Sequence, residues 1–307
     1  MGKKSRRVRT GDDFTPSRSE LKAHREKAAI ARENEGRIRA LAKKLQEDLQ
    51  DVDVYTPPPP VSERDDCPLC FHTMPLNYEL ESSFMQCCGQ SLCIACCNQK
   101  QHMCETKEEH GGRTVCAFCR EVLSEPAEII CKRLERLVEE QNHLLAMHTL
   151  SGKYERGDGV PRDDGVSMKL LLRAAEQGRV EAYCDLAGRC WFGAGGAMQS
   201  VDLVMLFASA AAKSGDLVGQ RLLGDYNDLH YKNTEQAIKH WSFAAKHGER
   251  TSLTYLRMKC DQGHVSRSTL DGTELSFKEA MKEEWSRERE SAFLLEEMKI
   301  KLFGTPY

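Results

Sequence analysis

The chain has 307 residues, of which 30% are charged, and a formal net charge of -3 at pH 7. This length leaves room for two domains with tails, and the near-neutral balance argues against a globally basic nucleic-acid-binding protein. No run approaches the ~18 apolar residues of a membrane-spanning helix, so no membrane partner is expected.

Residues 1–60 are predicted to be a basic, charged N-terminal region. Five cations and no acid lie within the first ten residues. Such a tract is typical of a disordered tail, with nuclear import or an RNA contact as alternatives. The absence of interleaved aromatic residues argues against nucleic acid as a partner.

A charged helix is predicted from about Pro16 to Leu49, because its apolar residues recur at helical spacing. They form a narrow stripe of Ile38, Leu41, Leu45 and Leu49. The pattern is compatible with a solvated helix or with a short coiled-coil contact. Pro57 to Pro60 then predict a stiff, extended spacer.

Ten of the fourteen cysteines lie between Cys67 and Cys119. Eight of them form three pairs at C-x2-C spacing and one contiguous pair, enough thiolates for two tetrahedral zinc sites. The pairs are Cys67/Cys70, Cys87/Cys88, Cys93/Cys96 and Cys116/Cys119. A disulfide framework is disfavoured, because no apolar secretory signal opens the chain and a chain of this length does not need disulfide bonds for stability. We predict a zinc module at residues 61–125 and a cytoplasmic or nuclear location.

The order of these pairs resembles that of a RING finger, in which the first and third pairs share one zinc ion and the second and fourth share the other. The resemblance implies a first site of Cys67, Cys70, Cys93 and Cys96 and a second site of Cys87, Cys88, Cys116 and Cys119. It further implies a ubiquitin ligase without a nucleophile of its own, which positions a charged ubiquitin-conjugating enzyme. By resemblance, Leu69 would contact that enzyme, and Arg120 would bridge the enzyme and ubiquitin.

Two positions depart from the RING pattern. The second pair lacks the usual spacer, and neighbouring side chains on an extended strand point apart, so both thiols reach one ion only if the chain kinks at Gly89. The last pair encloses Ala117 where the family usually has a proline. Substitute ligands within reach are His72, Cys97, His102, Cys104 and His110. A non-enzymatic, zinc-stapled interaction scaffold is therefore the alternative function.

An apolar periodicity from Pro126 to about Leu150 predicts one helix that connects the zinc module to the rest of the chain. A 36-residue period then begins, marked by Gly152, Gly188 and Gly224. Each unit carries an Ala-Ala-x-x-Gly motif that ends at Gly178, Gly215 or Gly248. The small pair lets two antiparallel helices approach closely, and the glycine follows the helix C-terminus. The predicted fold is mainly α, with an α-solenoid of helix pairs after the RING-like module.

These units resemble Sel-one-like repeats, relatives of the tetratricopeptide repeat, over residues 146–250. The residues that carry the resemblance are Gly152-Lys153-Tyr154, Gly157-Asp158-Gly159-Val160 and Ala174-Ala175-Glu176-Gln177-Gly178. The resemblance implies a partner-binding scaffold that would select a protein substrate. Residues 251–307 are predicted to form capping helices, with a charged helical run from about Leu275 to Leu302. Trp191 and Trp241 are predicted to be core residues.

Overall fold

The structure is a computed structural model. It describes residues 18–50, 54–59, 65–71, 74, 82–93, 95–97, 115–123 and 126–284. The predicted disordered tail before Arg18 and the part of the last predicted helix beyond Glu284 lie outside the described residues. Within the described residues, no helix combines the length and apolar character needed to cross a bilayer.

The described part of the chain is mainly helical, and the predicted fold class of stacked helix pairs is confirmed. Before the array lie helix α1 (Arg18–Asp48) and an antiparallel hairpin of β1 (Ser82–Met85) and β2 (Gln90–Cys93). The array consists of α2 (Ala127–Gln141), α3 (Leu144–Arg156), α4 (Asp164–Glu176), α5 (Val180–Phe192), α6 (Val201–Lys213), α7 (Leu217–Leu229), α8 (Thr234–Lys246), α9 (Arg250–Asp261) and α10 (Arg267–Glu284).

A Schellman turn ends α4, α6 and α8, as the repeated glycine predicts. At the end of α4, the Gly178 amide donates to the Ala175 carbonyl at 2.9 Å and the Arg179 amide donates to the Ala174 carbonyl at 3.0 Å. Gly178 has a φ of 88°, where a residue with a Cβ would be strained. The same pattern recurs at Gly215 and Gly248. Each second helix of a pair therefore stops at an equivalent point, and the next helix folds back onto it.

The Ala-Ala pairs lie in the core between consecutive helices. All six alanines are fully buried: Ala174, Ala175, Ala211, Ala212, Ala244 and Ala245. Their small side chains let α7 approach α6 so closely that a Cβ at Gly219 would lie 2.7 Å from the Cβ of Ala211. Consecutive helices pack on one another from α2 to α10, with larger side chains such as Phe207 and Trp241 buried between them.

The predicted connecting helix over residues 126–150 is divided in two. Asn142 adopts a left-handed φ of 52°, which asparagine tolerates better than most residues, and its amide bonds back to the carbonyl of Leu137. His143 then caps the next helix, because its Nδ1 accepts from the amide of Ala146 at 3.2 Å. As a result, α3 turns back to pair with α4 and belongs to the first repeat.

The apolar stripe of helix α1 packs on the array and is not left in solvent. Ile38, Leu41 and Leu45 are at most 7% exposed and lie in the same core as α2–α6. The side-chain amide of Asn34 donates to the carbonyl of Gly165 at 3.0 Å. The array therefore covers the stripe that the sequence leaves without a partner.

The proline spacer also docks on the array. We call residues Val54–Pro59 the strap. Val54 packs against the small cluster of Ala208, Ala212 and Leu223, and its carbonyl accepts a hydrogen bond from the side-chain amide of Gln220. The proline run predicts an extended segment. It does not predict the contact with α7, in which Gln220 lies 166 positions after Val54.

Alanine substitutions at Gly219 and Gly188 test where close helix packing requires a glycine. Gly219→Ala should destabilise the array by about 1–3 kcal/mol, because the new methyl group would overlap backbone and side-chain atoms of α6. Gly188→Ala should stabilise α5 by about 0.5–1 kcal/mol, because nothing lies within 4 Å of its Cβ position and alanine favours a helix. The measurement is urea unfolding followed by helical circular dichroism. Equal effects of the two changes would contradict the packing described for α6 and α7.

Candidate metal centre

The structure brings the eight predicted cysteines together as two groups of four thiols. The first group is Cys67, Cys70, Cys93 and Cys96, and the second is Cys87, Cys88, Cys116 and Cys119. Within each group the sulfur atoms lie within 4.8 Å of one another. This is the interleaved arrangement that the RING resemblance implies, and it ties distant segments into one cross-braced unit. All described cysteines are free thiols.

The first and last pairs form matching turns. In each, the residue after the second cysteine donates its amide to the carbonyl of the first cysteine: Phe71 to Cys67 at 2.8 Å and Arg120 to Cys116 at 3.2 Å. Both residues have a positive φ, 59° for Phe71 and 63° for Arg120. This tight turn places two sulfur atoms on one side of the chain, which is why the C-x2-C spacing suits a metal ion.

The contiguous pair lies in the hairpin turn between β1 and β2 and not on an extended strand. The amides of Cys88 and Gly89 both donate to the carbonyl of Met85, at 3.2 and 2.9 Å. Gly89 has a φ of 77°. The turn brings the sulfur atoms of Cys87 and Cys88 within 4.0 Å. The predicted kink at Gly89, which lets both thiols reach one ion, is thus present.

The thiols of the first group differ in acidity. Burial acts to raise the pKa of Cys67, but hydrogen bonds from backbone amides, including that of Cys93, outweigh it and lower the pKa to about 7. Burial raises the pKa of Cys93 and of Cys96. The charges of Cys67 and Cys70 add to the increase at Cys93, although hydrogen bonds with Cys96 partly offset it, and the other thiols of the group add to the increase at Cys96. One thiol therefore ionises readily, and further thiolates in the same group need a cation to offset their mutual repulsion.

The thiols of the second group also differ in pKa. Burial and the neighbouring thiols raise the pKa of Cys87, and burial raises that of Cys88 to about 11. For Cys116, burial is outweighed by hydrogen bonds from the amides of Cys119 and Phe118, so its pKa is lowered. A bound metal ion deprotonates coordinating thiols, so each group has the donors and the unmet need for positive charge that suit one ion.

The residues predicted to contact a conjugating enzyme lie on the two matching turns. Leu69 is half-buried against the cysteine core, whereas Arg120 is exposed. Phe71, which was not predicted as a site residue, is 79% exposed. Its position directly after Cys70, equivalent to that of Arg120 after Cys119, is the signal that could have identified it. Together Leu69 and Phe71 give the first turn an apolar character.

Helix α2 and the start of α3 hold the module against the array. Arg136 donates to the carbonyl of Cys87 at 3.3 Å, and Arg133 donates to the carbonyl of Val122 at 3.1 Å. The Nε2 of His143 lies 3.1 Å from the carbonyl oxygen of Gly89. Since a carbonyl only accepts, Nε2 donates here. Residue spacing does not single out His143, because its role depends on a contact across 54 positions.

Among the substitute ligands, Cys97 is described and belongs to neither group. The others, His72, His102, Cys104 and His110, lie outside the described residues. Metal ligation by the eight grouped cysteines stays a prediction, and their geometry is compatible with it.

No protein family matches the sequence, and no curated protein matches it. Among solved structures, the chain is similar to a Sel1 repeat protein from Oxalobacter formigenes, with 17% identity and a TM-score of 0.46 over 67% of this chain and 87% of that chain.

Cys93→Ser and Cys97→Ser form a matched pair of changes four residues apart. Cys93→Ser should reduce the bound metal from two ions per chain to about one or none, because the first group loses a buried ligand. Cys97→Ser should keep both ions. Elemental analysis of the purified full chain measures this directly. A full metal content in the Cys93→Ser protein would contradict the assignment of the first group.

Proposed function

We propose that the chain is a zinc-binding, RING-type ubiquitin ligase. The cysteine module would recruit a ubiquitin-conjugating enzyme, and the helical array would bind the protein substrate. The observation that carries this proposal is the interleaving of the two four-thiol groups, which ties the first cysteine pair to the third and the second to the fourth.

The spacing of the sulfur atoms favours zinc as the metal. Four sulfurs at tetrahedral corners, with Zn–S bonds of about 2.3 Å, lie about 3.8 Å apart. In the first group, the sulfurs of Cys70 and Cys93 are 3.8 Å apart. In the second, the sulfur of Cys88 is 3.7 Å from that of Cys116 and 4.0 Å from that of Cys87. These distances far exceed the ~2.05 Å of a disulfide bond.

Zinc in these sites would be structural, because four thiolates leave no open position for a substrate. Such sites supply on the order of ten kcal/mol of folding free energy. The described module has a small core of its own, built largely from the cysteines themselves with Met74, Met85 and Leu92. Its fold would therefore depend on the metal, as that of small zinc domains generally does.

Ligase activity would use the surface of the two matching turns. The apolar patch at Leu69 and Phe71 suits a hydrophobic contact with a conjugating enzyme. Arg120 is exposed, and its guanidinium offers a planar fork of donors that could bind both the enzyme and ubiquitin. The module would act by positioning the thioester between the conjugating enzyme and ubiquitin, because a ligase of this type needs no nucleophile of its own.

The alternative function is a non-enzymatic scaffold in which the zinc module only joins proteins. Ala117 favours this alternative, because the RING pattern usually has a proline there. Ala117 is half-buried against the cysteine core and offers only a methyl group for contact. The two functions differ in whether a charged conjugating enzyme discharges its ubiquitin in the presence of the chain.

The array has the properties of a partner-binding scaffold. Its helix pairs stack along one direction, and such arrays bind partners over extended surfaces. Membership in the Sel-one-like repeats is part of this proposal, and it is supported by the repeated Ala-Ala-x-x-Gly turns. We further propose that the protein works in the cytoplasm or nucleus, where thiols stay reduced.

Arg120→Ala tests the ligase proposal. In an autoubiquitination assay with a panel of conjugating enzymes, this change should reduce chain formation by about tenfold to a hundredfold, because hydrogen bonds from a charged donor contribute about 1.5–3 kcal/mol. The control is Arg267→Ala, which removes an exposed arginine on α10 that pairs with Asp271. It should leave the activity unchanged.

The controls separate loss of activity from loss of fold. Arg120→Ala should retain two metal ions, whereas Cys93→Ser should lose at least one ion together with the activity. Absence of ubiquitin chains with every enzyme of the panel, from a protein that holds two zinc ions, would rule out the ligase and favour the scaffold.

A further inference from the structure

The strap lies on a surface built from α7, α8 and the turn between α6 and α7. This docking surface consists of Gly215 in the turn before α7, Gln220 on α7, and His240 and Phe243 on α8. Its residues contact the backbone, an aromatic side chain and the prolines of the strap, and each contact has its own chemistry.

The backbone of the strap is held by a buried amide. Gln220 is fully buried, and its Nε2 donates to the carbonyl of Val54. Its Oε1 lies 3.0 Å from Nδ1 of His240, which must donate because an amide oxygen only accepts. Burial lowers the pKa of His240 to about 4, so its ring is neutral near pH 7. His240 thus orients the side-chain amide of Gln220 so that the Nε2 donor faces the strap.

The aromatic side chain of the strap lies between two rings. The ring of Tyr55 stacks on His240 with centroids 5.0 Å apart and planes 15° from parallel. It meets Phe243 edge to face at 5.5 Å. Pairs of this geometry add about 0.5–1.5 kcal/mol beyond the burial of their area. The docking surface therefore selects an aromatic residue directly after the bonded carbonyl.

The prolines pass over a glycine that has no side chain to obstruct them. A Cβ at Gly215 would lie 2.9 Å from the carbonyl oxygen of Pro57 and 3.0 Å from the Cα of Pro58. Gly215 already ends α6 with a φ of 79°, so one residue serves both the Schellman turn and the close approach of the strap. An extended proline run fits here because it needs no internal hydrogen bonds.

The strap is bound as a ligand would be and not as a core segment. Pro57 and Pro59 are exposed, whereas Val54 and Tyr55 are half-buried. A backbone bond, an aromatic pocket and a proline run over a smooth surface are the elements by which proteins recognise extended peptides.

We propose that this docking surface is a peptide-binding site for extended, tyrosine-containing proline-rich segments of partner proteins, and that the strap occupies it in cis. The strap defines the chemistry of the partner: a tyrosine that follows the bonded carbonyl, with prolines two to four positions after the tyrosine. The proposal rests on the partner-binding role of the array but not on ligase activity. A partner segment binds by replacing the strap, whose attachment gives it a high effective concentration.

The test uses the full chain and a fluorescent peptide of the strap sequence, Val-Tyr-Thr-Pro-Pro-Pro. In one variant, residues 54–59 are replaced by a Gly/Ser segment of the same length. Fluorescence anisotropy should show saturable binding to this variant and binding weaker by about a hundredfold or more to the unaltered chain, because the strap competes in cis. No ubiquitin or conjugating enzyme is present, so the outcome is independent of the ligase assay.

Changes on either side of the contact test its chemistry. In the strap-replaced chain, Gln220→Ala should abolish binding, and Tyr231→Ala should not affect it, because Tyr231 is exposed beyond the opposite end of α7. Gln220 is buried, so its loss could also unfold the array. A peptide with alanine in place of tyrosine avoids this problem, since it leaves the protein unchanged, and it should bind at least tenfold more weakly.

Circular dichroism and metal content establish that each variant is folded. A folded, strap-replaced chain that fails to bind the peptide overturns the proposal. Equal binding of the tyrosine and alanine peptides overturns it as well. Binding of the strap-replaced chain to unaltered chains but not to the peptide would make the surface a self-association site, which also contradicts the proposal.

Discussion

The close approach of neighbouring helices is the constraint on which the rest of the array depends. Buried alanines at the end of α4, α6 and α8 remove the side chains that would keep helices apart. The glycine that follows then turns the chain at a fixed point. Because this device recurs at each repeat, the helices stack in one direction, and the surfaces that receive α1 and the strap lie at set positions along the array.

The sequence predicts the features that depend on local chemistry. The alanine pair before Gly178 predicts a helix end, and the order of the cysteine pairs predicts which sulfur atoms meet. Both patterns act through a few adjacent residues, so spacing alone carries the information. The position of Cys87 was harder to predict, because it depends on a turn around Gly89 and not on strand alternation.

Other features depend on contacts that no local pattern reveals. The apolar periodicity runs through Asn142 without interruption, so it does not reveal the break between α2 and α3, which lies at the left-handed Asn142 and the helix cap of His143. The apolar stripe of α1 has the same sequence pattern in a solvated helix, in a coiled-coil contact and in a helix that packs on this array. Likewise, the prolines of the strap predict an extended segment, whereas its location depends on a buried glutamine far along the chain.

The cysteine module is an insertion with two anchors on the same body. On its N-terminal side, α1 and the strap lie along the array, and on its C-terminal side α2 holds it through Arg133, Arg136 and His143. A domain on one tether can swing, but a domain closed into a loop has a restricted orientation. Because α1 stays docked on the array, release of the strap would lengthen the N-terminal connection between α1 and the module, so occupancy of one small surface sets how far the module can reach.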